Sequence, residues 1–240
     1  MNGTDTLAAH YRAVLDRIAS AAKAAGRDPS SVRLLAVSKT FGADRVAALA
    51  AAGQRAFGEN YLQEALEKIA ALADLRPDSP LEWHFIGPIQ SNKTRRIAEA
   101  FDWVHSVDAL RIARRLSEQR PSDRPPLNLC LQVNVSGEAS KGGCEPADTV
   151  TLAGEIAPLP GIVLRGLMAI PEPTDDAAVQ SERFALLRRL LDDVRSGLGP
   201  DRAARLDTLS MGMSADLESA IAEGATIVRV GSALFGSRTR

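Results

Sequence analysis

Four short stretches hold residues whose types could do chemistry together. Lys39 directly follows the apolar run RLLAVS at 33–38. A lysine there can simply reach solvent. If its stem starts in a partly dry mouth, burial disfavours the ammonium form. The neutral amine is then a nucleophile that forms a Schiff base with an aldehyde. SMGMS at 210–214 and GS at 231–232 are the second and third stretches. Either glycine alone could be a turn residue. Together the clusters offer hydroxyls and backbone N–H groups, the donors that hold a phosphate where loops enter helices. Arg229 is the fourth, inside the apolar run IVRVG. It either pairs with a core carboxylate or faces a mouth, where it donates to a ring nitrogen or an anion. An aldehyde trap, a phosphate cradle and an inward arginine suit a phosphorylated aldehyde cofactor, pyridoxal 5′-phosphate (PLP).

Such residues need strands that end at one place. An N-terminal helix is expected over 4–25, because Leu7, Tyr11, Val14, Leu15 and Ile18 recur at helical steps. Short apolar, β-branched runs then predict strands at 33–38, 55–58, 82–86, 103–106, 127–135, 162–168, 208–211 and 226–230. A helical segment separates each strand from the next. Ser91 and Asp108 are the expected N-caps of two of them, and the longest helix is expected over 176–196. Strict alternation implies parallel strands with crossover helices. Eight units in 240 residues predict an α/β fold, a (β/α)8 TIM barrel. It would be a single domain over 1–240 with an extra N-terminal helix. A doubly wound open sheet is the rival, but no GxGxxG or Walker motif follows the first strand. In a barrel the chemistry lies at the C-terminal strand ends, where Lys39, Asn60, His84, Ser210 to Ser214, Arg229, Gly231 and Ser232 fall.

Composition removes several classes. Lys plus Arg is 29 and Asp plus Glu is 30, a formal net charge of -1, so no basic excess points to nucleic acid. No apolar run approaches the ~18 residues of a membrane span. The N-terminus is broken by Asp5, His10, Arg12, Asp16 and Arg17 and has no apolar leader core, so a cytoplasmic protein is expected. Cys130 and Cys144 read as a buried thiol and a loop thiol. His10, His84 and His105 are spread along the chain and predict no metal site.

The chain resembles the pyridoxal-phosphate homeostasis protein family, whose fold is that of the N-terminal barrel of alanine racemase. The matching stretches include LLAVSKT at 34–40, AGQRAFGENYLQEALEKI at 52–69, LEWHFIGPIQSNK at 81–93 and FDWVHSVD at 101–108. They continue with LQVNVSGEASKGG at 131–143, LRGLMAI at 164–170 and LDTLSMGMSADLESAIAEGATIVRVGSALFG at 206–236. Ser232 stands where threonine is expected, and the hydroxyl is kept. The resemblance implies that Lys39 carries PLP as a Schiff base. It implies that Ser214, Gly231, Ser232 and the Met213 backbone hold the phosphate, and that Arg229 faces the pyridine nitrogen. Asn60 and His84 would line the cofactor mouth, and Lys141 would be a second lysine near it.

Three functions follow: a PLP carrier acting in homeostasis and delivery, an amino-acid racemase, or a Schiff-base aldolase. Racemisation needs acid–base groups on both faces of the substrate. In alanine racemase the base opposite the lysine is a tyrosine of a separate domain. The chain ends at Arg240, so that domain is expected to be absent, and neither Tyr11 nor Tyr61 is placed as a second base. A guanidinium at the ring nitrogen disfavours ring protonation and so weakens the electron sink. An aldolase leaves Arg229 unexplained. The expectation is a monomeric PLP carrier with no strong catalysis, serving apo PLP-dependent enzymes, without nucleic-acid or membrane partners.

Overall fold

Apolar runs bounded by turn residues alternate with amphipathic segments, and the computed structural model follows that rhythm through its described residues, 3–75, 80–137 and 142–236. In chain order the elements are α1 (Gly3–Ala24), β1 (Arg33–Val37), α2 (Ala43–Ala51), β2 (Ala56–Glu59), α3 (Leu62–Ala71), β3 (Glu82–Phe85), α4 (Thr94–Ala100) and β4 (Trp103–Val107). They continue with α5 (Leu110–Gln119), β5 (Leu127–Gln132), α6 (Thr149–Ile156), β6 (Ile162–Met168), α7 (Ala177–Gly197) and α8 (Pro200–Ala203). The last are β7 (Thr208–Ser210), α9 (Leu217–Ala222), β8 (Ile227–Val230) and α10 (Ser232–Phe235). The strands close in sequence order into a barrel, with β1 paired to both β2 and β8 in parallel. This is the expected (β/α)8 fold with an extra N-terminal helix.

The period-two rule divides each strand between two cores. Leu35, Val37, Ala56, Ile86 and Ile227 meet inside the barrel, and Trp103, Cys130 and Met168 form a second interior group. The opposite phase, including Leu34, Ala36, Phe57, Phe85 and Val228, packs beneath the helices. Each fully buried Leu or Phe in that layer contributes about 1.5–3 kcal/mol. The helices supply matching stripes. In α1, Leu7, Tyr11, Val14, Ile18 and Ala22 are buried at three- and four-residue steps. The α7 helix begins where Asp176 accepts hydrogen bonds from the Ala178 and Val179 N–H groups at 2.9 and 3.3 Å.

Several boundaries differ from the sequence reading, each for a local reason. The strand expected over 127–135 leaves the barrel after Gln132, because Cys144 returns to bond Gln132 and Asn134 through their backbones. That return also buries Cys144, so both cysteines are core thiols rather than one core and one loop thiol. The helix after β2 starts only at Leu62, with Tyr61 still extended. Ala109, not Asp108, occupies the cap position of α5. Ser91 opens a 3-10 turn instead of capping, and its carbonyl accepts from Thr94 Oγ1 and Arg115 Nε, both at 3.0 Å.

Candidate functional site

Lys39 is half-buried and follows β1 two residues after the inward-facing Val37. The backbone on both sides of it is clamped. Ser38 C=O accepts from Lys68 Nζ at 2.7 Å, and the Thr40 N–H donates to Glu64 Oε1 at 2.6 Å. Thr40 has φ 69, a left-handed conformation found at no other described non-glycine residue. For a β-branched residue that costs on the order of 1–3 kcal/mol and persists only where its surroundings impose it. The imposing element is an ionic knot on the outer side of the barrel wall. Lys68, 4 % exposed, bonds Glu59 Oε1 at 2.7 Å and Glu64 Oε1 at 2.5 Å. Ser38 Oγ donates to the same Glu59 oxygen at 2.6 Å. Burial raises the Glu59 pKa, against the pull of Lys68 and Ser38.

The loops after β7 and β8 come together beside β1. Ser232 Oγ lies 3.3 Å from Ser214 Oγ, so the two hydroxyls chosen from sequence share one spot. Gly212 has φ 92, and a Cβ there would sit 2.6 Å from the Ala220 Cβ, so the turn into α9 needs glycine. The Met213 N–H already donates to Asp216 Oδ1 at 2.6 Å, so it can serve an anion only if that carboxylate releases it. Arg17 of α1 braces the loop by donating to Ser214 C=O at 2.8 Å and to Glu218 Oε2 at 2.6 Å. Gly231 opens α10. The rings of Phe41 and Phe235 stack at 4.7 Å, joining the loop after β1 to the end of α10.

Arg229 is paired in register with Leu35 and therefore faces inward, 4 % exposed. No core carboxylate meets it among the described residues. It donates from Nη1 to Ser210 C=O at 2.6 Å and Ser210 Oγ at 2.9 Å, and from Nη2 to Ala169 C=O at 2.8 Å. These bonds use three of its five N–H donors. Burial lowers its pKa to about 10, which still leaves it charged at neutral pH.

One correction concerns the histidines. His84 does not line the open mouth: it is fully buried inside the barrel, stacked on Trp103 at 5.4 Å. There it meets His105, whose Nε2 lies 2.8 Å from His84 Nδ1. His105 Nδ1 reaches Ser210 Oγ at 2.7 Å, and His84 Nε2 reaches Glu82 Oε1 at 2.6 Å. Among the described residues no cluster of three or more His, Cys, Asp or Glu could hold a metal ion.

Asn60 directly follows β2 at its C-terminal end. Its Oδ1 is buried with no hydrogen-bond partner among the described residues. The loop after β3 is pressed against it, since a Cβ on Gly87 would lie 2.1 Å from the Asn60 carbonyl oxygen. Lys141 lies outside the described residues. The residues present fit a phosphorylated aldehyde: an amine-bearing strand end, two adjoining hydroxyls, a guanidinium with donors to spare and an orphaned polar oxygen. Sequence reading missed Glu59, Lys68, Glu82 and His105. The available signal was a titratable residue inside an apolar strand, as in AFGE, EWHF and WVHS, since burying such a group demands a partner.

The chain is similar to known proteins along nearly its whole length. The family described as "Alanine racemase, N-terminal domain" matches residues 10–239. A "Pyridoxal phosphate homeostasis protein" of Pseudomonas aeruginosa is 64% identical over 233 residues, covering 97% of this chain and 96% of that protein. The structure of PipY from Synechococcus elongatus with PLP bound has a TM-score of 0.76 and 40% identity, covering 91% of this chain and 100% of that one. Alanine racemase from Corynebacterium glutamicum, at TM-score 0.69 and 18% identity over 99% of this chain and 62% of its own, shares the fold. The chain belongs to the alanine racemase N-terminal domain family and, within it, to the pyridoxal phosphate homeostasis proteins.

Proposed function

We propose that this chain binds PLP as a Schiff base on Lys39 and acts in intracellular PLP homeostasis and delivery, without strong catalysis. The observation that carries the reading is the convergence at one barrel mouth. Lys39 follows β1, Arg229 lies on the adjoining β8, and Ser232 just beyond it stands 3.3 Å from Ser214. Bound there, PLP supplies an aldehyde carbon and an electron-accepting ring. Lys39 Nζ would supply the amine that holds this aldehyde as a Schiff base. Ser214 and Ser232 donate to the phosphate, with Gly231 and, once Asp216 lets go, the Met213 N–H beside them. Arg229 donates to the ring nitrogen and keeps a proton off it. Asn60 Oδ1 gains a partner. Residues 1–240 then act as one domain, a cytoplasmic monomer that passes its cofactor to apo PLP-dependent enzymes.

The experiment is a PLP titration followed by absorbance, borohydride reduction and mass mapping of the modified lysine. Its companion is a comparison of PLP with pyridoxal. Ser214→Ala or Ser232→Ala should weaken PLP by about 1–3 kcal/mol, the cost of losing a desolvated donor, and leave pyridoxal nearly unchanged. Equal weakening of both would put these serines away from the phosphate.

The absence of strong turnover has its own test. Tyr11 is buried against the core and Tyr61 is exposed at the head of α3, so neither opposes Lys39 as a second acid–base group. PLP-loaded protein in deuterated water with L-alanine should form no D-alanine at an enzymatic rate. Slow deuterium entry at the α-carbon would fit a one-faced site. Rapid D-alanine formation would reject the carrier in favour of a racemase.

A further inference from the structure

A line of polar groups, buried from Arg229 to His84 and ending on the half-buried Glu82, crosses the barrel interior, and its direction is forced from both ends. The Arg229 guanidinium can only donate, and the Glu82 carboxylate can only accept. Ser210 Oγ accepts from Arg229 Nη1 at 2.9 Å, so its single proton goes to His105 Nδ1 at 2.7 Å. His105 then carries its proton on Nε2 and donates it to His84 Nδ1 at 2.8 Å. His84 in turn carries its proton on Nε2 and donates to Glu82 Oε1 at 2.6 Å. With one proton on each ring, no other arrangement makes all four bonds. Arg33 Nη2 secures the far end by donating to the same Glu82 oxygen at 2.6 Å.

The surroundings agree with neutral rings. Burial lowers the pKa of His105 well below its ordinary value, aided by the positive charges of Arg229 and Arg33. Burial also lowers that of His84, although Glu82 and Asp102 pull the other way. Glu82 stays ionised: burial opposes this, but bonds from His84 and Arg33 bring its pKa down to about 2.

We propose that Glu82, His84, His105 and Ser210 form a one-way hydrogen-bond chain that locks both imidazoles as neutral Nε2-H tautomers and fixes the Arg229 guanidinium beneath the mouth. Glu82 opens β3, at the opposite end of the barrel from Lys39. It is a positioning residue that acts through three others. The lock stands on the protein's own geometry; its effect on bound cofactor rests on the function proposed above.

The test is a long-range proton–nitrogen correlation spectrum of protein labelled with 15N in its histidines, first without cofactor. Both His84 and His105 should show protonated Nε2 and bare Nδ1, unchanged from about pH 5 to 8, where an ordinary histidine titrates. Glu82→Met removes the terminal acceptor, and His84 should then exchange between tautomers. Glu82→Gln keeps an acceptor oxygen and should restore the single form. An Nδ1-H ring or an imidazolium at either site in the parent protein would overturn the lock, even if the variants fail to fold. With PLP bound, the 15N signal of the cofactor ring should shift in Glu82→Met and return in Glu82→Gln. An unmoved ring signal beside intact tautomers would overturn the link to Arg229 alone. Failure to load PLP would instead reject the proposed function and leave the tautomer result standing.

Discussion

Lys39→Ala abolishes the borohydride-reducible PLP adduct and its long-wavelength absorbance while the barrel stays folded. The loss is complete because one covalent bond carries the signal. Ser214, Ser232 and Arg229 remain, so weak, reversible binding of the phosphate and ring persists. The fold survives because the clamps on the strand end belong to the neighbours of Lys39. Ser38 and Thr40 keep their bonds to Lys68, Glu59 and Glu64, which involve no atom of the Lys39 side chain. Mass mapping after reduction checks the site, and thermal unfolding checks the fold. A fully retained adduct on Lys68 or Lys141 would sink the assignment of Lys39.

Lys68→Met has the largest expected effect on stability. It strands Glu59, whose side chain has no exposure and whose Oε2 already has no partner among the described residues. Removing one member of a buried ion pair costs about 3–5 kcal/mol, on the order of 6–20 °C in Tm for a chain of this size. The loss depends on pH in a set direction. Burial already raises the Glu59 pKa above 4.5, and removing the ammonium raises it further. A carboxyl whose folded pKa is raised adds stability that is fully present below the unfolded value and is lost as pH climbs through the folded one. The variant should therefore lie closest to the parent in acid and fall away from it above about pH 4.5. Denaturant unfolding at several pH values reads this. A cost under about 1 kcal/mol, or no pH trend, would show that the knot contributes little. Glu59→Leu added to Lys68→Met should recover much of the loss.

The barrel was legible because each strand is an apolar run with a turn residue at its end. The 162–168 run matches β6 at both ends, and the N-terminal helix is offset by one residue. Lys39, Ser214, Arg229 and Ser232 could be nominated from sequence because the fold rule names the strand ends where chemistry gathers. The interior was not legible. His84 meets His105 across 21 positions, and His105 meets Ser210 across 105. Which inward-facing polar groups touch depends on the stagger between strands, and periodicity within one strand carries no information about that. Lys68 was not legible for a related reason. Its place in EALEKI reads as an exposed helical charge pair, and only the carbonyl of Ser38 and the buried Glu59 behind it turn it inward.

The brace from α1 to the serine loop also bears on how the protein is made. Arg17 reaches Ser214 across 197 positions, and His10 Nδ1 reaches Leu234 C=O, at 3.2 Å, across 224. Closing such spans costs loop entropy before any contact rewards it, and folds rich in distant contacts form slowly. During synthesis the helix emerges first and waits without its partner while nearly the whole chain is translated. Ser232 is the last of the residues brought together at this spot to leave the ribosome. On the proposed function, a growing chain therefore holds Lys39 long before it holds the Ser214 and Ser232 pair that would cradle the phosphate.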